Sequence, residues 1–360
     1  GRRVADPLEL TSIEVTQQEW ARSDEQPRPS DLCKKRVIGE GGYSCVYLAH
    51  DLRTSRQFAL KCIKKCLVAN NGVSHRLLAE KEAYEELRHP FICRLFSTFQ
   101  DEDSLYFVLE LARGGDLFEV IDTHGGRLPE DWARHYLGSV ALGIQHMHSR
   151  GYVYRDLKPE NVLIDHKGFV KIADMGYAKF IKGERTYSTL GTFPYTPPEL
   201  IDGRGRTTAA DWWGCGVLLH EMLVGEPPFK GETSRDILRS VKRYSEEKEA
   251  ADRIRDNLQR LKVSIAAIDM VFGLLHVEES RRLGTTHFHS IQHHPWFEGF
   301  DWVALLRREV TPPYVPRADL ILPDVSDRLC PSVMTADDFD RQAWAHIFDE
   351  FGPMAKLHGE

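Results

Sequence analysis

The segment that most restricts how this chain can fold is Tyr154-Arg155-Asp156-Leu157-Lys158-Pro159-Glu160-Asn161, followed eighteen residues after Asp156 by Asp174-Met175-Gly176. A loop of solvated charges would tolerate any order. Here two carboxylates, a carboxamide and an ammonium come at set intervals, so a fold has to gather them for the order to have a use. Asn161 and Asp174 are hard oxygen ligands of the kind Mg²⁺ prefers. Asp156 can orient or deprotonate a hydroxyl, and Lys158 can neutralise an adjacent anion.

These are the parts that phosphoryl transfer needs: a carboxylate near the attacking hydroxyl, a cation on the moving group, and ligands for Mg²⁺. Two upstream features suit the same chemistry. Gly39-Glu40-Gly41-Gly42-Tyr43-Ser44-Cys45-Val46 lies between two predicted strands. Glycines let such a hairpin approach phosphates closely, with backbone N–H groups as donors, although the pattern alone is common. Lys61 lies on the predicted strand Phe58-Ala59-Leu60-Lys61-Cys62-Ile63, where alternation sets it on the face of Ala59 and Ile63. An ammonium on an apolar face needs an anionic partner, and Glu80 is the candidate.

With 360 residues and 42% apolar content the chain can build a substantial core. A net charge of −7 without a basic block argues against generic nucleic-acid binding. No run reaches the ~18 apolar residues of a membrane span. The seven cysteines are odd in number and form no CxxC pair, which points to thiols in a reducing, cytoplasmic setting. The start at Gly1-Arg2-Arg3, without Met or an apolar leader, leads us to expect a piece of a longer protein. Residues 1–31 read as an extension or linker. Strands are predicted over 33–38, 44–50, 57–63, 93–100 and 104–111, and a helix over 75–87. Helical periods follow at 131–150, 210–223, 245–261 and 264–275. The expected class is α+β: a small antiparallel β-rich lobe with one principal helix over 32–112, a larger helical lobe over 113–301, and a tail over 302–360.

In this order the motifs resemble those of the eukaryotic protein kinases over roughly 32–302: the Gly-rich loop, Lys61, Glu80, the Asp156 loop, Asp174-Met175-Gly176, Pro197-Pro198-Glu199, Asp211 and Arg282. The resemblance implies the bilobal kinase fold and a serine/threonine kinase that uses ATP and Mg²⁺. It implies that Ile38, Gly39, Glu40, Gly41, Gly42, Tyr43, Ser44 and Val46 cover the nucleotide, and that Lys61 holds its phosphates while paired with Glu80. Leu109 would be the gatekeeper, Glu110 and Ala112 would offer backbone atoms to adenine, and Val46, Ala59 and Leu163 would sandwich the ring. Asp156, Lys158, Asn161, Asp174 and Thr192 would be the catalytic set, with Asn161 and Asp174 on the metal. Glu199 and Arg282 would form a structural ion pair, and Asp211 would brace the loop before Asp156. Asp116, Glu160 and Glu221 are implied to receive arginines that precede the phosphoacceptor. Counted back from Gly191-Thr192, Ser188 takes the activating phosphorylation position, with Arg155, Lys179 and Arg76 converging on it; Thr186 and Thr189 are the alternatives.

Ala210-Asp211-Trp212-Trp213, Arg282-Leu283-Gly284 and Thr311-Pro312-Pro313-Tyr314-Val315-Pro316 are similar to the AGC group, in its cyclic-nucleotide-dependent branch. The stretch from His294 to Trp302 resembles cGMP-dependent more than cAMP-dependent kinases, whereas Trp20 matches the latter. The implied partners are protein substrates and a cyclic-nucleotide-binding regulatory domain or subunit. The alternatives are a cAMP-dependent catalytic subunit, another AGC kinase, or a pseudokinase that works by binding. Ser44, Met175 and Pro197 replace the usual Gly, Phe and Ala, and Thr192-Phe193-Pro194-Tyr195 replaces the common Thr-Pro-Glu-Tyr. In the tail, Asp338-Phe339-Asp340 resembles a nucleotide-contacting element. Phe348-Asp349-Glu350-Phe351 resembles the hydrophobic motif, with an ordinary amphipathic helix as the other reading.

Overall fold

Alternating β-branched and aromatic residues build a five-stranded antiparallel sheet from β1 (Leu32–Glu40), β2 (Ser44–Asp51), β3 (Gln57–Lys64), β4 (Leu95–Gln100) and β5 (Ser104–Glu110), in the order β1-β2-β3-β5-β4. The computed structural model describes residues 26–41, 44–70, 74–188, 191–317 and 348–358. Trp20, Gly42, Tyr43, Thr189 and the 338–340 element lie outside the described residues. The register sets Val46 opposite Lys61 and Ala59 opposite Leu109, so these four belong to neighbouring positions of one sheet. The Ser74–Glu86 helix packs against the sheet through Leu77, Glu80, Ala83 and Tyr84. Its span matches the predicted helix to within a residue.

The rest is helical. Glu130–Ser149 and Ala209–Val224 are buried along most of their length, as their apolar sequences require. Side chains of Asp116, Thr233 and Ser264 cap the helices that follow them, each accepting a backbone N–H. Gly225, at φ 95°, ends the Ala209–Val224 helix in the left-handed conformation that glycine adopts without strain. One expectation needs correction. The charged stretch predicted as a single helix over 245–261 is split between Ser234–Glu246 and Lys248–Arg260, with Glu247 extended at φ −116° and ψ 118°. Each helix has its own anchor, Val241 and Tyr244 in one and Leu258 in the other, and no Gly or Pro marks the break.

Two-stranded pieces too short to show a sequence period complete the helical lobe: Tyr152–Val153 with Lys179–Phe180, and Val162–Ile164 with Val170–Ile172. Ile172 ties the lobes together, its N–H donating to Phe91 O and its carbonyl accepting from Cys93 N, both at 2.8 Å. Tyr84, Leu95, Tyr154 and Met175 belong to one buried cluster that spans both lobes. Met175 is fully buried, so its flexible thioether fills the place expected of an aromatic ring. Gly114 has room for no side chain: a Cβ there would lie 2.5 Å from Pro316 and 2.8 Å from Ile164 O. That close approach lets the tail lie against the connection between the lobes.

Cys33, Cys62, Cys66, Cys93 and Cys215 are free, whereas Cys45 is disulfide-bonded, which departs from the expectation of thiols throughout. Among the described residues no helix is long and apolar enough to cross a membrane. The 348–358 segment lies on the small lobe, with Phe348 and Phe351 buried.

Candidate active site

Strand alternation delivers Lys61 to the face predicted for it, and the Ser74–Glu86 helix brings Glu80 within 2.7 Å of its ammonium. Asp174 Oδ1 stands 3.4 Å from the same nitrogen. Burial alone would lower the Lys61 pKa, but Asp174 and Glu80 outweigh it and hold the ammonium above its ordinary value. Burial pushes the Glu80 carboxyl up against the pull of Lys61. The charge of Lys61, and then burial acting in the other sense, leave Asp174 below the usual carboxylate range. Asp174 sits at φ 54°, and its Oδ1 accepts from Gly176 N at 3.2 Å. A non-glycine residue in that region stores strain, which is common at functional sites.

Asp156 is buried, and both its oxygens are held. Oδ1 accepts from the Thr192 hydroxyl at 3.0 Å. Oδ2 accepts from Asn161 Nδ2 at 2.8 Å and lies 3.1 Å from Lys158 Nζ. Burial works against the charge of Lys158, but Asp156 beside it raises the ammonium pKa. The backbone before Asp156 is fixed from below. Asp211, on the Ala209–Val224 helix, accepts from Tyr154 N and Arg155 N at 2.9 Å each and from His148 Nε2 at 2.8 Å. Those bonds hold Arg155 at φ 73°, a conformation its side chain would otherwise disfavour. Tyr154 OH donates to Ala173 O at 2.6 Å, linking the Asp156 loop to the residue before Asp174. His148 and the Tyr154 hydroxyl were not singled out from sequence, because neither lies in a spacing pattern. A Mg²⁺ ion would find a carboxylate and a carboxamide oxygen at Asp174 and Asn161, a donor set that suits it when phosphate oxygens complete the shell.

The other sequence-predicted residues cluster as follows. Gly41 N donates to Ser44 O at 2.8 Å, closing the hairpin that carries the glycine-rich stretch. Ile38, Gly39, Val46, Ala59 and Leu163 are half-buried, and Glu40 is exposed. Leu109 is buried. The Ala112 N–H and C=O have no hydrogen-bond partner among the described residues, which leaves them available to a ligand. Glu110 turns its carboxylate away, to Lys171 Nζ at 2.9 Å. Asp116 caps the Leu117–Thr123 helix by accepting from Glu119 N at 2.9 Å. Its pKa is pushed up to about 6 by burial, with Glu119 and Glu160 adding repulsion. Burial also raises Glu221, which accepts a bond from Tyr195 OH and feels the charge of Glu160. Glu160 thus acts electrostatically on both Asp116 and Glu221.

Around Ser188 the geometry adds one residue, Arg206. Thr186 pairs with Arg206 through both backbone bonds, 3.0 and 2.8 Å. The Thr186 hydroxyl accepts from Arg155 Nη1 and Lys179 Nζ, each at 3.4 Å. Arg206 Nη2 donates to Ser188 O at 2.9 Å. Burial lowers the Arg155 pKa to about 10, helped by the positive charges of Arg206 and Arg76. Arg206 is thus a further cation at this spot, and nothing in the sequence around Gly205-Arg206-Thr207 announces it. At the base of the helical lobe, Arg282 and Glu199 form two parallel bonds of 2.9 Å, both side chains fully buried.

Residues 32–297 match the protein kinase domain family. Among curated proteins the chain is 37% identical over 298 residues to serine/threonine-protein kinase AtPK1/AtPK6 of Arabidopsis thaliana, covering 82% of this chain and 60% of that protein. It is 38% identical over 291 residues to an atypical protein kinase C of Drosophila melanogaster, covering 79% of this chain and 47% of that protein. It is 34% identical over 284 residues to a cAMP-dependent protein kinase catalytic subunit of Dictyostelium discoideum, covering 78% and 42%. The chain therefore spans 60% or less of the length of these relatives.

Proposed function

Since the chain belongs to the protein kinase domain family, we propose that it is a serine/threonine kinase of AGC type that moves the γ-phosphoryl of Mg·ATP to proteins with arginines before the acceptor. The observation that carries this reading is Asp156, whose two oxygens are aimed by Thr192, Asn161 and Lys158. In the proposed reaction Asp156 accepts the proton of the substrate hydroxyl as that oxygen bonds to the γ-phosphorus and the bond to the bridging oxygen breaks. Lys158 offsets negative charge on the moving group, and Lys61, held by Glu80, positions the phosphates behind it. Asn161 and Asp174 would hold Mg²⁺, which supplies further charge neutralisation at those phosphates.

The assembled Lys61–Glu80 pair favours catalysis over a scaffold that merely binds. Arginine recognition is assigned to Asp116, Glu160 and Glu221, whose mutual repulsion a guanidinium would relieve. The cGMP-dependent subtype rests on the His294 to Trp302 resemblance, and stimulation of the full-length protein by cGMP but not cAMP would test it. The central experiment is Mg·ATP turnover on an arginine-rich peptide by the wild type and Asp156→Asn. Near-normal turnover by the variant would sink the assignment.

A further inference from the structure

A second cavity, of about 820 Å³, opens where the connection between the lobes meets the tail. Of the described candidate active-site residues, Glu110 alone lines it, so it is distinct from the cleft around Lys61 and Asp156. Its walls are strongly basic. Seven described lining residues are Arg or Lys; the Glu110 carboxylate is engaged by Lys171 at 2.9 Å, and Arg113, Lys167 and Arg317 form no ion pair with a described carboxylate. Arg113 comes from the connection itself, Lys167 from the turn between Val162–Ile164 and Val170–Ile172, and Arg317 from the tail. All three are exposed. Deeper in, the Arg94 and Arg56 guanidinium groups lie 4.4 and 5.3 Å from the Phe96 ring centre, a seat that keeps both forks in place.

Like charges brought into one concavity repel, and the low-dielectric wall focuses their field. A bound polyanion relieves this. Its size is bounded by the cavity, which falls within the roughly 300–1,000 Å³ typical of small-molecule sites. Its chemistry is bounded by the donors: guanidinium forks fit phosphate through paired N–H bonds. Its valency follows from the charge at the rim, where three cations exceed the about −1.5 to −2 charges of a single phosphate. We propose that this cavity binds a soluble small molecule carrying two or more phosphates, held at its rim by Arg113, Lys167 and Arg317, apart from the nucleotide cleft. Such a ligand would fasten the tail to the connection between the lobes.

Titration calorimetry on the full chain, with tripolyphosphate and inositol hexakisphosphate as probes at low and moderate salt, tests this. The wild type should bind either probe, more weakly as salt rises. The combined Arg113→Gln, Lys167→Gln, Arg317→Gln variant should lose tenfold or more in affinity, and Lys167→Gln alone about threefold. A thermal melt on each variant confirms folding, and Lys167→Gln serves if the triple variant fails to fold. A non-hydrolysable ATP analogue should bind both proteins alike and leave probe binding intact. No wild-type binding, equal binding by wild type and variants, displacement by the ATP analogue, or binding confined to phosphoinositide vesicles would each overturn the proposal.

Discussion

Asp156 is held at both of its carboxylate oxygens. Its oxygens have no freedom left, so Asp156→Asn keeps the shape and removes the acceptor. Turnover should fall by roughly 10²–10⁴ with little change in KM for ATP, and steady-state assays on an arginine-rich peptide would show it. Asp116 gives a pH signature. Its folded pKa, about 6, lies above the ordinary carboxylate value, so the folded chain takes up a proton more readily than the unfolded one. Ionised Asp116 therefore costs stability, a cost that grows as pH climbs from about 4 to about 6 and is complete above. Arginine binding needs the ionised form and follows the opposite course. KM for an arginine-bearing peptide should rise as pH falls through about 6. Asp116→Asn should raise KM roughly tenfold at pH 7 and flatten that dependence; superimposable profiles for the two proteins would refute the role. The sequence order made Asp156, Lys61 and Glu80 legible because each stands at a set interval within a motif. Arg206 and His148 were not, because they reach the site through loop and helix geometry that no interval records.

Among elements, the strands and the Ser74–Glu86 helix could be read because their apolar residues recur at the right period. The break at Glu247 could not, since two charged helices in succession look like one. The segment 185–188 behaves as a unit. Thr186 is buried and backbone-paired to Arg206, while Ser188 is partly accessible with its carbonyl on Arg206. Phosphorylation should therefore be found at Ser188 and not Thr186. Mass spectrometry of active protein would locate it, and Ser188→Ala should lower turnover at least tenfold through loss of the ion pairs a phosphate makes with Arg155, Lys179 and Arg206. The short tail helix from Phe348 to Phe351 is the other element placed by packing. Phe351 meets the Phe107 ring edge-on at 5.0 Å, Thr98 Oγ1 donates to its carbonyl at 2.7 Å, and Lys81 on the Ser74–Glu86 helix donates to Glu350 O at 2.7 Å. The segment is a short helix docked on the small lobe through Phe348 and Phe351, which agrees with the amphipathic-helix reading and leaves the motif reading open. Phe351→Ala should cost about 3 kcal/mol, with faster amide exchange in the Ser74–Glu86 helix and slower turnover. Unchanged exchange there would show that the tail does not support the helix.

At the scale of the whole molecule, the two lobes share one buried cluster and meet through Ile172, so the position of the helix carrying Glu80 and that of the loop carrying Asp156 are set together. The small lobe's sheet has two edges, β1 and β4, and residues 353–358 touch both. Gln100 on β4 donates to Pro353 O and accepts from Ala355 N, His358 N donates to Leu32 O on β1, and Leu357 is buried with Leu32, Ala49 and Phe58. An open edge is a template on which other chains can add strands. We therefore expect the tail to guard against self-association as well as to brace the lobe. A form ending at residue 347 should show a larger, concentration-dependent mass by light scattering than the full chain, and a synthetic 348–358 peptide should reverse it. On this reading the solitude of the sheet depends on eleven residues far away in sequence, and a single proteolytic cut before them is expected to remove it.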